Sequence, residues 1–116
     1  MEERKRVRRF CKKKANLVYE MGFDSGFIYM HLIEEMAELT QAISKINRFP
    51  KDAKRLENLY EEVADVFIGV NEVMALLDKD LLNDFIDRKL AKKQKYLEKW
   101  EEEEVDRRLR SRDTAS

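Results

Sequence analysis

Turn-forming residues are almost missing from this chain. Its 116 residues include three glycines and one proline, and the stretches between them repeat apolar side chains every three or four positions. Glycine supplies left-handed turns and proline breaks helices, so a chain poor in both has few places to reverse direction. A sheet needs many such places, whereas a few long helices need few. The first predicted helix spans about residues 3–21, with Val7, Phe10, Cys11, Leu17, Val18 and Met21 as its apolar face. "GFDSG" interrupts it, and Asp24 or Ser25 is expected to cap a second helix over about residues 26–47. "NRFPKD" makes the next turn, with Pro50 as breaker and Asp52 as cap of a third helix reaching about Leu77. "DKD" leads into a fourth helix capped by Asp80. That helix continues through about residue 110 on the acid-before-base pairs Glu103–Arg107, Glu104–Arg108 and Asp106–Arg110. Residues 111–116 read as a tail. Short connections favour antiparallel neighbours, so the expected fold is all-α: an antiparallel bundle of about four helices in a single domain over residues 1–116.

Charge narrows the function classes. Lys plus Arg equals Asp plus Glu at 24 each, which gives no ground for nucleic-acid or membrane binding. No apolar run approaches the ~20 residues of a membrane span, and the N-terminal segment lacks an apolar signal region. Cys11 is the single cysteine, forms no intramolecular disulfide, and reads as a small helical hydrophobe in a reducing compartment. A cytoplasmic location is expected. The third helix carries its main stripe on Leu56, Leu59, Tyr60, Val63, Val66, Phe67, Val70, Met74 and Leu77, while Ile68 and Leu76 fall away from it. A helix apolar on several sides is surrounded on several sides. The bundle is therefore expected to be completed by oligomerisation, as a homodimer or a dimer of dimers with this helix near the interface.

In "HLIEEMAELTQAISK", residues 31–45, the apolar positions Leu32, Ile33, Met36, Leu39 and Ile43 define one face. At ~100° per residue, Glu35 lies roughly 70° and Glu38 roughly 130° from its centre, on one flank, while Glu34 points away. The third helix repeats the pattern in "EEVAD": Glu62 and Asp65 share a flank and Glu61 points away. A hairpin turning at Pro50 brings Glu38 level with Glu62 and Glu35 level with Asp65. Converging carboxylates repel unless protons or a cation neutralise them. An all-oxygen donor set suits Mg²⁺ or Mn²⁺ better than Zn²⁺, and Mg²⁺ commonly joins carboxylates to substrate phosphate.

"EEMAE", Glu34 to Glu38, followed after a loop by "EVAD", Glu62 to Asp65, resembles the EExxE and ExxD motifs of the MazG-like nucleotide pyrophosphohydrolases. The order "LIEEMAELTQAISK", "ENLYEEVADVFIGVNEV", Lys-rich last helix is similar to that superfamily over about residues 25–97. The resemblance implies hydrolysis of a nucleoside triphosphate to the monophosphate and pyrophosphate with Mg²⁺. It also implies that Glu35, Glu38, Glu62 and Asp65 are the metal-binding and catalytic carboxylates. The general base is one of these or a neighbour acting through water, and the resemblance does not single it out.

Basic groups should hold the remaining phosphate charge. Lys89 and Lys93 are one turn apart on the last helix, and Lys45 shares the flank of Glu35 and Glu38. The last helix reads "KKQK" where many members of the superfamily carry an Asn. His31, one turn before Glu35, and Asn71, beyond Asp65, are further substrate-binding candidates, and Phe23, Phe27 and Tyr29 are candidates for stacking on a base. Two other functions compete. One is a non-catalytic helical adapter whose acidic cluster binds a basic partner. The other is a di-iron carboxylate bundle, which wants Glu-x-x-His pairs that this chain lacks.

Overall fold

The computed structural model describes residues 2–115. Among them are four α-helices and no strand: α1 (Glu2–Glu20), α2 (Gly26–Arg48), α3 (Ala53–Met74) and α4 (Lys79–Ala115). The chain divides into two compact units, one through Asp78 and one from Lys79. α1, α2 and α3 form a helical bundle in the first unit, and the second is α4. No helix among the described residues is long and apolar enough to cross a membrane.

The helix boundaries follow local chemistry. α1 stops at Gly22, whose φ of 81° only glycine adopts easily. There Phe23 N–H donates to Val18 O at 3.1 Å and Gly22 N–H to Tyr19 O at 3.0 Å, the Schellman closure. At the start of α2, Ser25 is already helical and its side chain caps nothing. Asp24 does the capping instead, accepting from Gly26 N–H at 2.9 Å. Asp52 caps α3 as expected, taking Arg55 N–H at 3.1 Å. The Arg55 guanidinium also lies 3.9 Å from the centroid of the Phe49 ring, closing the Pro50 turn. Asp80 is no cap, since α4 begins one residue earlier and Asp80 sits in its first turn, where a negative charge suits the helix dipole. α4 runs to Ala115 rather than ending near residue 110, and the last tail residue, Ser116, lies outside the described residues. On α4, Arg107 pairs with Glu104 at 2.7 Å rather than with Glu103, and Arg108 joins the same carboxylate at 3.1 Å.

Two sets of contacts fix how the first three helices run. Cys11 Sγ meets Ile68 O at 3.6 Å and Lys14 Nζ meets Glu72 Oε1 at 2.8 Å. The offset along the chain is nearly constant, so α1 and α3 are parallel. Leu32 lies against Gly69, and Glu38 lies near enough to Glu62 to raise its carboxyl, so α2 and α3 are antiparallel in the expected register.

The packed faces differ from the apolar stripes. Among the described residues the buried hydrophobic ones are Cys11, Val18, Ile28 and Ala42. Ile28 is the largest, worth ~1.5–3 kcal/mol of burial. On α2 the inward line is Ile28, Glu35 and Ala42, spaced at seven, and Ile33, Met36 and Ile43 are about half exposed. On α3 Gly69 is buried, while Leu56, Tyr60, Val63, Phe67 and Val70 stand exposed at spacings of three and four. Ile68 lines a cleft with Val7 and Phe10 of α1. This corrects the reason for expecting a partner near Ile68: the residue faces α1 of its own chain. The buried Cys11 thiol, its pKa raised first by burial and then by Glu72, fits its reading as a core residue.

Asp52 caps the α3 N-terminus with its side chain, so Asp52→Ala is expected to cost about 1 kcal/mol. For a unit this small that lowers Tm by roughly 4–8 °C, measurable by circular dichroism. Asp52→Asn, which keeps the acceptor, should recover most of the loss.

Candidate metal centre

α2 and α3 approach closely because one residue between them has no side chain. A Cβ added at Gly69 would stand 2.9 Å from Leu32 Cδ1. One helical turn and two helical turns from that contact, the inward positions are not apolar. They are Glu35 on α2 and Asp65 and Glu62 on α3.

Glu35, Glu62 and Asp65 each offer a carboxylate oxygen, and these three oxygens lie within 4.8 Å of one another. The Glu35 side chain is 17% exposed, Glu62 is half-buried and Asp65 is exposed. One side of the cluster is thus packed and the other opens to solvent. Glu35 Oε2 and Glu62 Oε2 are buried with no hydrogen-bond partner. A buried polar oxygen without a partner is unfavourable, more so when charged, and a proton or a cation would relieve it. Burial is the first cause that raises the Glu35 carboxyl above its ordinary value. The charges of Asp65 and Glu38 add to it, and His31 opposes them. Glu62 is raised for the same first reason, then by the charge of Glu38 and a hydrogen bond with it, then by Asp65 and Glu35. Glu38 is exposed and stands at the open side of the cluster.

The donor set is three or four carboxylate oxygens with no thiolate. It fits a hard divalent cation such as Mg²⁺ or Mn²⁺. Glu34 and Glu61 are exposed on the outward sides of their helices.

The other candidate residues divide. His31 Nε2 lies 3.2 Å from Glu35 Oε1, and its Nδ1 lies 3.7 Å from Glu72 Oε2. Asn71 donates from Nδ2 to Phe67 O at 2.8 Å. That bond lies within its own helix. Lys45 is exposed on α2, and Lys89 and Lys93 are exposed on α4. Phe23 and Phe27 pack with ring centroids 5.2 Å apart and, with Tyr29, keep more than two fifths of their surface exposed.

Sequence reasoning missed Glu72 and Lys14. Glu72 is 3% exposed and forms an ion pair with Lys14 at 2.8 Å. The signal was a lone carboxylate inside the apolar run "IGVNEVMALL", seven residues after Asp65 and so on the same side of α3. Lys14 was masked by the basic run around it.

No family model matches this chain, and neither a curated protein nor a solved structure does.

The raised carboxyls make the metal-free protein pH-sensitive. Between the ordinary value of 4.5 and the raised folded values, the unfolded chain has ionised while the folded chain still holds the protons. The folded state therefore loses stability as pH rises through that window, and the loss is complete above it. Glu62→Gln cannot ionise. In chelator, its Tm relative to the parent should climb through that window and stay level or higher at pH 7.5, in thermal melts taken across pH 4–8. The outward controls Glu34→Gln and Glu61→Gln should show no such trend. Variants melting far below the parent at pH 7.5 would make the carboxylates structural.

Proposed function

We propose that this chain is a MazG-like nucleotide pyrophosphohydrolase that converts a nucleoside triphosphate and water to the monophosphate and pyrophosphate with Mg²⁺ or Mn²⁺. One observation carries the reading. Three carboxylates from two helices converge within 4.8 Å, and two of them hold buried oxygens without partners. Repulsion and desolvation both oppose that arrangement, and a divalent cation relieves both. Glu35, Glu62 and Asp65 would hold the ion, with Glu38 beside them. When bound, such an ion polarises phosphate oxygens and lowers the pKa of coordinated water. Hydrolysis breaks the bond between the α-phosphorus and the oxygen bridging to the β-phosphorus. Water supplies the new P–O bond, and the electron pair leaves with pyrophosphate. The water's proton goes to an exposed carboxylate of the cluster, and Glu38 and Asp65 are both exposed. Lys45, on the same helix and facing solvent, is the first-unit candidate for the outer phosphate charge.

The proposed assembly is a homodimer or a dimer of dimers. Its support is the exposed line Leu56, Tyr60, Val63, Phe67 and Val70, whose side chains are 40–68% exposed. Apolar residues at spacings of three and four along one helix form the seam by which helices pair. A second copy would bury it.

Incubation with a nucleotide panel and Mg²⁺ should release pyrophosphate from at least one (d)NTP, identified by ³¹P NMR. Glu35→Gln and Asp65→Asn should lower turnover by at least ~100-fold, the lower end of what a positioned acid–base side chain contributes. Orthophosphate as the sole product would indicate a different phosphatase. Absence of turnover with every nucleotide would favour an adapter that binds a basic partner.

Light scattering at micromolar concentration should give at least twice the chain mass of 13.9 kDa. Phe67→Glu, which places a charge in the seam, should shift the mass toward the monomer while far-UV circular dichroism stays helical. A monomeric parent would remove the assembly from the proposal.

A further inference from the structure

The acidic cluster is tied to α1 by a chain of four side chains. Lys14 Nζ donates to Glu72 Oε1 at 2.8 Å. Glu72 Oε2, the other oxygen of that carboxylate, lies 3.7 Å from His31 Nδ1. His31 Nε2, the other ring nitrogen, lies 3.2 Å from Glu35 Oε1. The second oxygen of Glu35 is the buried one without a partner. Each member uses one polar atom toward the previous member and another toward the next. The order runs from α1 through α3 to α2 and ends on the cluster.

Burial argues that this order is specified. Glu72 is the one buried charged residue among the described residues, at 3% exposure. Taking a carboxylate out of water is costly unless its oxygens are bonded, and a hydrophobe of that size would suit the apolar run around it. Lys14 alone would answer one oxygen. The second oxygen faces the only histidine of the chain, whose ring needs two partners to hold one orientation. A carboxylate behind an imidazole is also the usual way in which an imidazole is aimed.

We propose that Glu72 is a positioning residue: pinned by Lys14, it holds the His31 ring against Glu35 Oε1 and so fixes Glu35 with its other oxygen presented to the cation. This rests on the metal-centre reading above. His31 is thereby an outer support of the site. Its Nε2 holds the oxygen of Glu35 that does not face the ion. α1, which supplies none of the four acidic side chains, becomes part of the machinery through Lys14.

The test measures Mn²⁺ affinity without substrate, by the free-ion EPR signal, in the parent, Glu72→Gln, His31→Ala and the double variant. Glu72→Gln and His31→Ala should each weaken Mn²⁺ binding by about 10- to 100-fold, the range for loss of an outer-shell partner. The double variant should be no weaker than His31→Ala alone, because Glu72 acts through His31. Lys14→Met should weaken binding in the same direction, and Lys14→Arg should retain it. Factors that multiply in the double variant, or a Glu72→Gln variant that binds like the parent, overturn the proposal. A second readout separates it from the metal reading. With one histidine, the imidazole resonances are assigned by inspection. In metal-free protein the His31 ring protons should show nuclear Overhauser contacts to α3 side chains that vanish in Glu72→Gln. A parent that binds no Mn²⁺ yet shows those contacts sinks the metal centre and leaves the His31 clamp standing. Contacts unchanged in Glu72→Gln sink the clamp whatever the metal does.

Discussion

Everything in the first unit turns on how close α2 comes to α3. Gly69 permits the approach: a single added methyl there would press on Leu32 at 2.9 Å. Small residues let helix axes approach more closely than the 8–10 Å set by larger side chains. The consequence is electrostatic. Carboxylates that would stand apart on two loosely packed helices are instead held with their oxygens inside 4.8 Å. Burial and mutual repulsion then push the Glu35 and Glu62 carboxyls up together. A core built for stability alone would have put hydrophobes in that seam. This one places Glu35 between Ile28 and Ala42, the two buried apolar residues of α2.

The second contact system, α1 on α3, uses the opposite device. Cys11 is small, apolar and buried against the Ile68 carbonyl, and next to it the part-buried Lys14 pairs with the buried Glu72. Removing one partner of such a pair leaves a charge stranded in low dielectric, which is costly. The pair therefore fixes the register of α1 more sharply than apolar contact would. That register in turn sets where His31 stands between its two carboxylates.

The apolar stripes are the third element. Most large hydrophobes of α2 and α3 lie outside the contact seam, about half exposed. A unit whose helices pack through glycine, alanine and carboxylates gains little from the hydrophobic effect within itself. Surface of that kind, arranged at coiled-coil spacing, is what subunit association buries.

The number of helices, the turns between them and the register of the hairpin were legible in the order of residues, while the far end of α4 was not. Glycine and proline scarcity, the Asp52 cap and the two acidic pairs are local signals, and local signals act within a turn or two of chain. The level pairing of Glu38 with Glu62 and of Glu35 with Asp65 followed from a short turn at Pro50, because so short a turn leaves little freedom of register. Only the tertiary structure decided which face of each helix is inside. Hydrophobic periodicity pointed to Leu32, Ile33, Met36, Leu39 and Ile43; Leu32 and Leu39 are part-buried, whereas Ile33, Met36 and Ile43 are about half exposed and the inward line runs through Ile28, Glu35 and Ala42, since a partner helix selects for close fit as well as for apolarity. Ile68 looked unpartnered until α1 was seen beside it. Glu72 and Lys14 are 58 residues apart. No periodicity links positions so distant, and a buried ion pair exists only once two helices have brought its halves together.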